Sequence, residues 1–346
     1  MGCANGWWTA EESHAADPKA RPPTVREPDA ATLREPIQPI APPSPDKAAK
    51  ITLGGRLFFE RRLSRNDTIA CSDCHDLEHG GADHRRFAVG VDQRVGAINT
   101  PTVFNAGLNP RQFWDGRADS LEAQIDGPLQ HADEMGGSWS AAVAKLESDP
   151  SYVEAFTYAF GKPEISSTTI KDAIASYERT LVLTESRFDG YLQGDKAALS
   201  SEERDGYELF KSYGCISCHQ GRNVGGNMFE TMGVMGDYFA DRGGEITKAD
   251  LGRYNVTQRL EDKFRFRVPS LRTANLTPPY FHDGSVSTLE EAVRLMAKYQ
   301  LGTTMPASDE EAIVKFLRTL PGSYHPAIAD THVATSVAKD VHVEAP

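Results

Sequence analysis

The pattern Cys-x-x-Cys-His occurs twice in this chain, as Cys71-Ser72-Asp73-Cys74-His75 and as Cys215-Ile216-Ser217-Cys218-His219. No other feature restricts the fold so tightly. Two cysteines at this spacing form thioethers with one porphyrin while the adjacent histidine reaches the iron from the same side. The two pentads use four of the five cysteines. Paired Cys-x-x-Cys elements also build zinc ribbons, but a ribbon needs four converging thiolates and gives no role to a histidine after each pair. The sequence is therefore expected to carry two covalently attached c-type haems, with His75 and His219 as proximal iron ligands.

The sixth ligands decide what such irons do. A second strong ligand such as methionine suits electron transfer, whereas an open face binds peroxide or oxygen. Met296 shares a helical face with Leu289 and Val293, a pattern that equally describes a core residue. Met305, Met228, Met232 and Met235 are further candidates, and spacing does not choose among them.

Residues 1–48 are polar and Pro-rich and read as an extended, flexible tether. Ordered sequence is expected from about Ala48, where Ala49, Leu53, Leu57 and Phe58 fall at helical spacing. A helix over 170–183 closes an N-terminal haem domain, 49–190. A C-terminal haem domain, 191–322, opens with a capping box, Ser200 and Glu203, and a helix through Tyr207 and Phe210 into the second pentad. Two more helices are expected to start at Ser287 and Ser308, the second with Ile313, Phe316, Leu317 and Leu320 as its apolar stripe. Residues 323–346 read as a loose tail. The expected fold is mainly α, with two cytochrome-c-like haem domains and long loops.

The 346 residues carry a formal net charge of −12, which excludes nucleic acid as a partner and suits a partner with a basic docking patch. No apolar run is long enough to span a bilayer. Covalent haem attachment implies export, so the chain is expected to be periplasmic, with a leader removed ahead of it. The leftover Cys3, after Gly2, reads either as an acylated lipoprotein cysteine beside Trp7 and Trp8 or as an incidental thiol.

Several further motifs stand in a fixed order around the pentads. They are Asn99-Thr100-Pro101-Thr102-Val103, Phe113-Trp114-Asp115-Gly116-Arg117, Gly127-Pro128-Leu129, Glu134-Met135-Gly136, Val268-Pro269-Ser270-Leu271-Arg272, Pro279-Tyr280-Phe281-His282-Asp283-Gly284 and Gln300-Leu301-Gly302. Over roughly residues 50–322 the chain resembles the bacterial di-haem cytochrome c peroxidases, a family that includes the MauG-type maturation enzymes. The resemblance implies that Met296 is the distal ligand of an electron-transfer haem and that Trp114 lies between the two haems. It implies Glu134 as acid/base at the peroxide site, with Gln124 as the neighbouring hydrogen-bonding amide. Asn99, Thr277 and Pro279 match ligands of an interdomain calcium ion, and His282 matches a structural residue near the haem edges.

One position departs from the peroxidase pattern. The histidine that caps the first haem in ordinary members falls, counting back from Asn99, on Val91, which cannot ligate iron. His79 and His84 are the nearby substitutes. The expectation is an open, five-coordinate first haem. MauG-type enzymes share that open haem but carry tyrosine where this chain has Met296. The function expected is peroxide reduction with electrons from a small cytochrome or cupredoxin. The alternative is MauG-type oxidation of a partner protein's side chain, such as tryptophan. A plain di-haem electron carrier would give Glu134 no purpose. Homodimers are common in the family.

Overall fold

The computed structural model describes residues 35–44 and 46–326. Cys3, Trp7, Trp8, most of the expected tether and most of the expected tail lie outside the described residues. The fold is mainly helical, as the sequence implies. In chain order the helices are α1 Ala48–Phe58, α2 Leu121–Gln130, α3 Trp139–Glu147, α4 Pro150–Phe160, α5 Ser167–Glu178, α6 Arg187–Leu192, α7 Ser201–Ser212, α8 Tyr238–Arg242, α9 Tyr254–Thr257, α10 Leu289–Gln300 and α11 Ala307–Leu317. Two short antiparallel pairs accompany them: β1 Leu183–Thr184 with β4 Ser323–Tyr324, and β2 Phe229–Thr231 with β3 Arg265–Arg267.

Most helix starts follow a small polar residue whose side chain accepts a backbone N–H that the helix leaves unpaired. Ser120, Ser138, Asp149, Ser166, Ser186 and Ser200 do this for α2 to α7. The reciprocal pair at Ser200 and Glu203 forms as the sequence suggests. Three boundaries differ from expectation. The cap of α10 is Thr288 instead of Ser287, and α11 starts behind Pro306, ahead of Ser308. The helix expected over 170–183 ends at Glu178, because Leu183 and Thr184 leave it to pair with Tyr324 and Ser323.

The two halves repeat one construction. In the first, α1 crosses α5 so closely that a Cβ on Gly54 would lie 1.9 Å from the Ala173 carbonyl oxygen. In the second, α7 crosses α11 at Gly206, where a Cβ would lie 1.9 Å from the Ala312 carbonyl oxygen. In each half the helix ahead of the pentad is thus locked to the closing helix at a glycine, which alone permits the approach. The α11 stripe is buried as expected, with Ile313, Phe316, Leu317 and Leu320 at most 2% exposed. Each such side chain stabilises the fold by about 1.5–3 kcal/mol.

Three expected boundaries need correction. Residues 35–44 are not tether: Ile37 and Ile40 are buried, Gly221 donates to the Pro36 carbonyl, and Arg272 donates to the Gln38 carbonyl. Two isoleucines among the prolines supply the apolar surface that docks this stretch. The seam between halves falls before α6 and not at residue 190, since Phe188 and Leu192 belong to the second core and Asp189 pairs with Arg272. The expected tail begins two residues later than stated, because Ser323–Tyr324 is a strand.

Candidate active site

Each pentad opens with a turn of 3₁₀ helix, Cys71–Asp73 and Cys215–Ser217, after which the histidine N–H donates to the carbonyl of the first cysteine. In the first, Asp73 closes the turn by accepting from the Ala70 N–H at 2.7 Å and from Arg61 Nη2 at 2.6 Å. His75 Nδ1 then lies 3.1 Å from the Gly81 carbonyl oxygen. In the second, His219 Nδ1 lies 3.3 Å from the Val224 carbonyl oxygen. A carbonyl only accepts, so Nδ1 carries the proton in both rings and the Nε2 lone pair is left to face a metal. Burial lowers the pKa of both imidazoles, that of His219 to about 4, so both are neutral and competent to ligate.

The second pentad opens on a cavity of about 580 Å³. Cys215, Cys218 and His219 form one wall, and Met296 and Val293 on α10 contribute to the lining. The walls are largely apolar, with Glu230 and Arg267 as the charged exceptions. Arg267 on β3 is buried, its Nη1 has no hydrogen-bond partner, and burial pulls its pKa down to about 10. A flat apolar macrocycle bearing carboxylates fits this cavity, with Arg267 as the partner for a propionate. Met305, Met232 and Met235 line the same cavity, and Met305 is also part of the buried core. Met228 does not line it; its carbonyl accepts from the Val268 N–H in the β2–β3 region. The first pentad packs on a separate apolar cluster that includes Phe58, Leu77, Phe104 and Leu181.

Between the halves stands Trp114. Its indole Nε1 donates to the Asn99 carbonyl at 2.9 Å, its own carbonyl accepts from Arg267 N, and its ring meets the edge of His282 at 6.5 Å between centroids. It packs beside the aromatic cluster of Tyr238, Phe239, Phe266 and Tyr299 and lines the second cavity. Asn99, Thr277 and Pro279 also line that cavity. The Asn99 amide donates through Nδ2 to the Arg85 carbonyl, and no carboxylate belongs to this trio. Carbonyl and amide oxygens are hard donors of the kind calcium accepts.

Glu134 follows α2 in a tight turn, and Gln124 sits half-buried on α2 itself. Burial raises the Glu134 pKa above the ordinary value, against the opposing pull of His131, whose Nδ1 is 3.7 Å away, and of Arg117. Val91 is fully buried, and its N–H donates to the Glu134 carbonyl at 2.8 Å. The loop carrying Val91 is fastened to the same turn by the Arg94–Asp133 ion pair, and to the first domain by Arg65 and Asn66 on Asp92. Gly90 abuts Glu134 so closely that a Cβ would meet its carbonyl oxygen at 2.3 Å. His79 and His84 stand together at the surface: His79 Nδ1 lies 2.8 Å from Asp76, and His84 Nε2 lies 2.7 Å from the His79 carbonyl.

Sequence reasoning missed Arg267, the buried Arg272–Asp189 pair, and the Asp250–His282 pair at 2.8 Å with Arg242 beside it. Charged residues in loops read as solvated unless their partners are known, and those partners lie 8 to 83 positions away.

A family model described as di-haem cytochrome c peroxidase matches residues 48–197. Cytochrome c peroxidase Ccp of Escherichia coli K12 is 46% identical over 297 residues, covering 86% of this chain and 63% of that protein. Cytochrome c551 peroxidase of Nitrosomonas europaea is 43% identical over 288 residues, covering 83% of this chain and 84% of that protein. The crystal structure of a MauG-like protein associated with microbial copper homeostasis superposes with a TM-score of 0.72 at 30% identity, covering 82% of this chain and 93% of that one.

Proposed function

The chain belongs to the di-haem cytochrome c peroxidase family, and from that membership we propose that it reduces hydrogen peroxide to water at an open first haem, fed by a His219/Met296 second haem. The observation that carries the reading is the Val91 loop. Where a capping histidine would stand, a buried valine is hydrogen-bonded to the turn that holds Glu134. His79 and His84, the substitutes, are engaged with Asp76 and with each other at the surface.

Haem iron, when bound, supplies the position for peroxide and the capacity to exchange electrons one at a time. The protein's own groups do the rest. The Glu134 carboxylate accepts a proton from hydrogen peroxide and returns it to the departing oxygen, which leaves as water. Its raised pKa moves it toward the working pH, where a group can both take and give a proton. Gln124 orients the peroxide, and Trp114 carries electrons from the second haem to the first. Cys71, Cys74 and His75 hold the first haem; Cys215, Cys218, His219 and Met296 hold the second. Asn99, Thr277 and Pro279 hold a calcium ion at the seam.

Among the described residues no helix is long and apolar enough to cross a membrane. The enzyme works in the periplasm with a small basic cytochrome or cupredoxin as donor, held to the membrane by a lipid on Cys3 and pairing as a homodimer. A second reading, oxidation of a partner protein's side chain as in MauG-type maturation, draws on the same open haem; Met296 favours the peroxidase. Steady-state assays with hydrogen peroxide and a reduced small cytochrome test the choice. Turnover with that donor supports the peroxidase. Peroxide consumption that proceeds only with oxidation of a protein substrate overturns it.

A further inference from the structure

Behind the Trp114 ring lies a buried charged group that the proposed mechanism does not use. His282 is 3% exposed and Asp250 is 1% exposed, and His282 Nε2 donates to Asp250 Oδ1 at 2.8 Å. The imidazole stacks on Phe266 at 4.3 Å and turns its edge to Trp114. Arg242 Nη1 reaches Asp250 at 2.7 Å and Asp283 at 3.0 Å. Asp250, His282 and Asp283 lie near enough together to hold a metal ion. The Arg242 guanidinium already bridges the two carboxylates, so a cation would have to displace a fixed positive charge.

The sum of charges in this cluster is informative. Burial favours a neutral Asp250, but hydrogen bonds from Arg242, Thr247 and His282 keep its carboxyl ionised well below the usual range. Two carboxylates, those of Asp250 and Asp283, share one guanidinium here, one ring away from the indole. Trp114 Nε1–H, meanwhile, donates to a neutral carbonyl, that of Asn99, which does not take its proton.

We propose that Asp250, acting through His282, is a positioning residue for electron transfer: its charge favours loss of one electron from Trp114. The proposal rests on the reading of Trp114 as the bridge. In each passage Trp114 gives one electron toward the peroxide-oxidised first haem, keeps its N–H proton and is left positively charged. One electron from the second haem then refills it; with the electron donor reducing that haem again between passages, two passages match the two-electron reduction of one peroxide. The Asp250 charge stabilises the positive indole, and the low-dielectric surroundings let it act.

The test uses the holoenzyme with its second haem reduced, mixed with peroxide in stopped flow. Freeze-quench electron paramagnetic resonance reads the tryptophan radical alongside. A unit charge on the order of 10 Å away changes such a rate by roughly tenfold. Asp250→Asn should therefore slow the loss of an electron from Trp114 roughly tenfold and diminish the radical signal, with resting haem spectra unchanged. Asp250→Glu, which keeps the charge, should transfer near the native rate. A native rate in Asp250→Asn, with Trp114→Phe slow, overturns the proposal and spares the bridge. A slow Asp250→Glu with native haem spectra overturns it too, because shape and not charge would then matter. A native rate in Trp114→Phe overturns the bridge itself.

Discussion

Arg272 offers the sharpest test of how the second haem half is held. Its side chain is 1% exposed and pairs with Asp189, 2% exposed, at 2.8 Å. The same guanidinium donates to the Arg222 carbonyl at 2.7 Å and to the Gln38 carbonyl at 2.8 Å. One side chain thus ties α6, the 35–44 segment and the loop that ends at Val224, the acceptor for His219. Arg272→Met keeps most of the volume but strands a buried carboxylate, a change that costs about 3–5 kcal/mol. At about 2–4 °C per kcal/mol, the melting temperature should fall by about 6–20 °C. Calorimetry of the holoprotein reads the shift, and the second haem's absorption spectrum reads any loosening of His219. The double variant Arg272→Met/Asp189→Leu removes both charges and should recover most of the loss. A single variant melting within about 2 °C of the native protein, or a double variant no better than the single, would refute the reasoning.

Glu134→Gln should leave both haems attached and cut peroxide turnover by about 10²–10⁴, measured in the steady state; native turnover removes its acid/base role. Glu178 is buried on α5, its Oε2 has no partner, and burial, aided by Glu122, pushes its pKa up to about 8 from 4.5. A raised carboxyl favours the fold below the unfolded value and loses that contribution as pH rises. Urea denaturation should therefore show stability relative to Glu178→Gln falling from about pH 4.5 to about pH 8. A pH-independent difference would show that Glu178 does not titrate across that window. Gly206→Ala forces α7 off α11 and should cost at least about 1–3 kcal/mol in the same assay.

The pentads made the cofactor count, the proximal ligands and the mainly helical class legible, because that chemistry is written in five contiguous residues. Helices with clear apolar stripes were equally plain: α1, α7 and α11 lie close to where their apolar spacing puts them. Ends were harder. The stop of α5 depends on a strand partner about 140 residues away, and local pattern carries no record of it. Ile37 and Ile40 were hidden by the prolines around them, although two isoleucines in a polar arm were a usable signal. Spacing left the methionines unranked and only the family resemblance put Met296 first; four of the five line one cavity. The charged pairs beneath the haem loops were invisible for the same reason as the strand: each joins residues that only the folded chain brings together.

The central claim is that the first haem is open. Electron paramagnetic resonance of the fully oxidised protein tests it most directly, followed by hydrogen peroxide without any reductant. The account predicts one high-spin and one low-spin signal, an unchanged spectrum in the His79→Ala/His84→Ala variant, and immediate reaction with peroxide. Two low-spin signals, with no reaction until the second haem is reduced, would contradict it and place a protein ligand on the first iron.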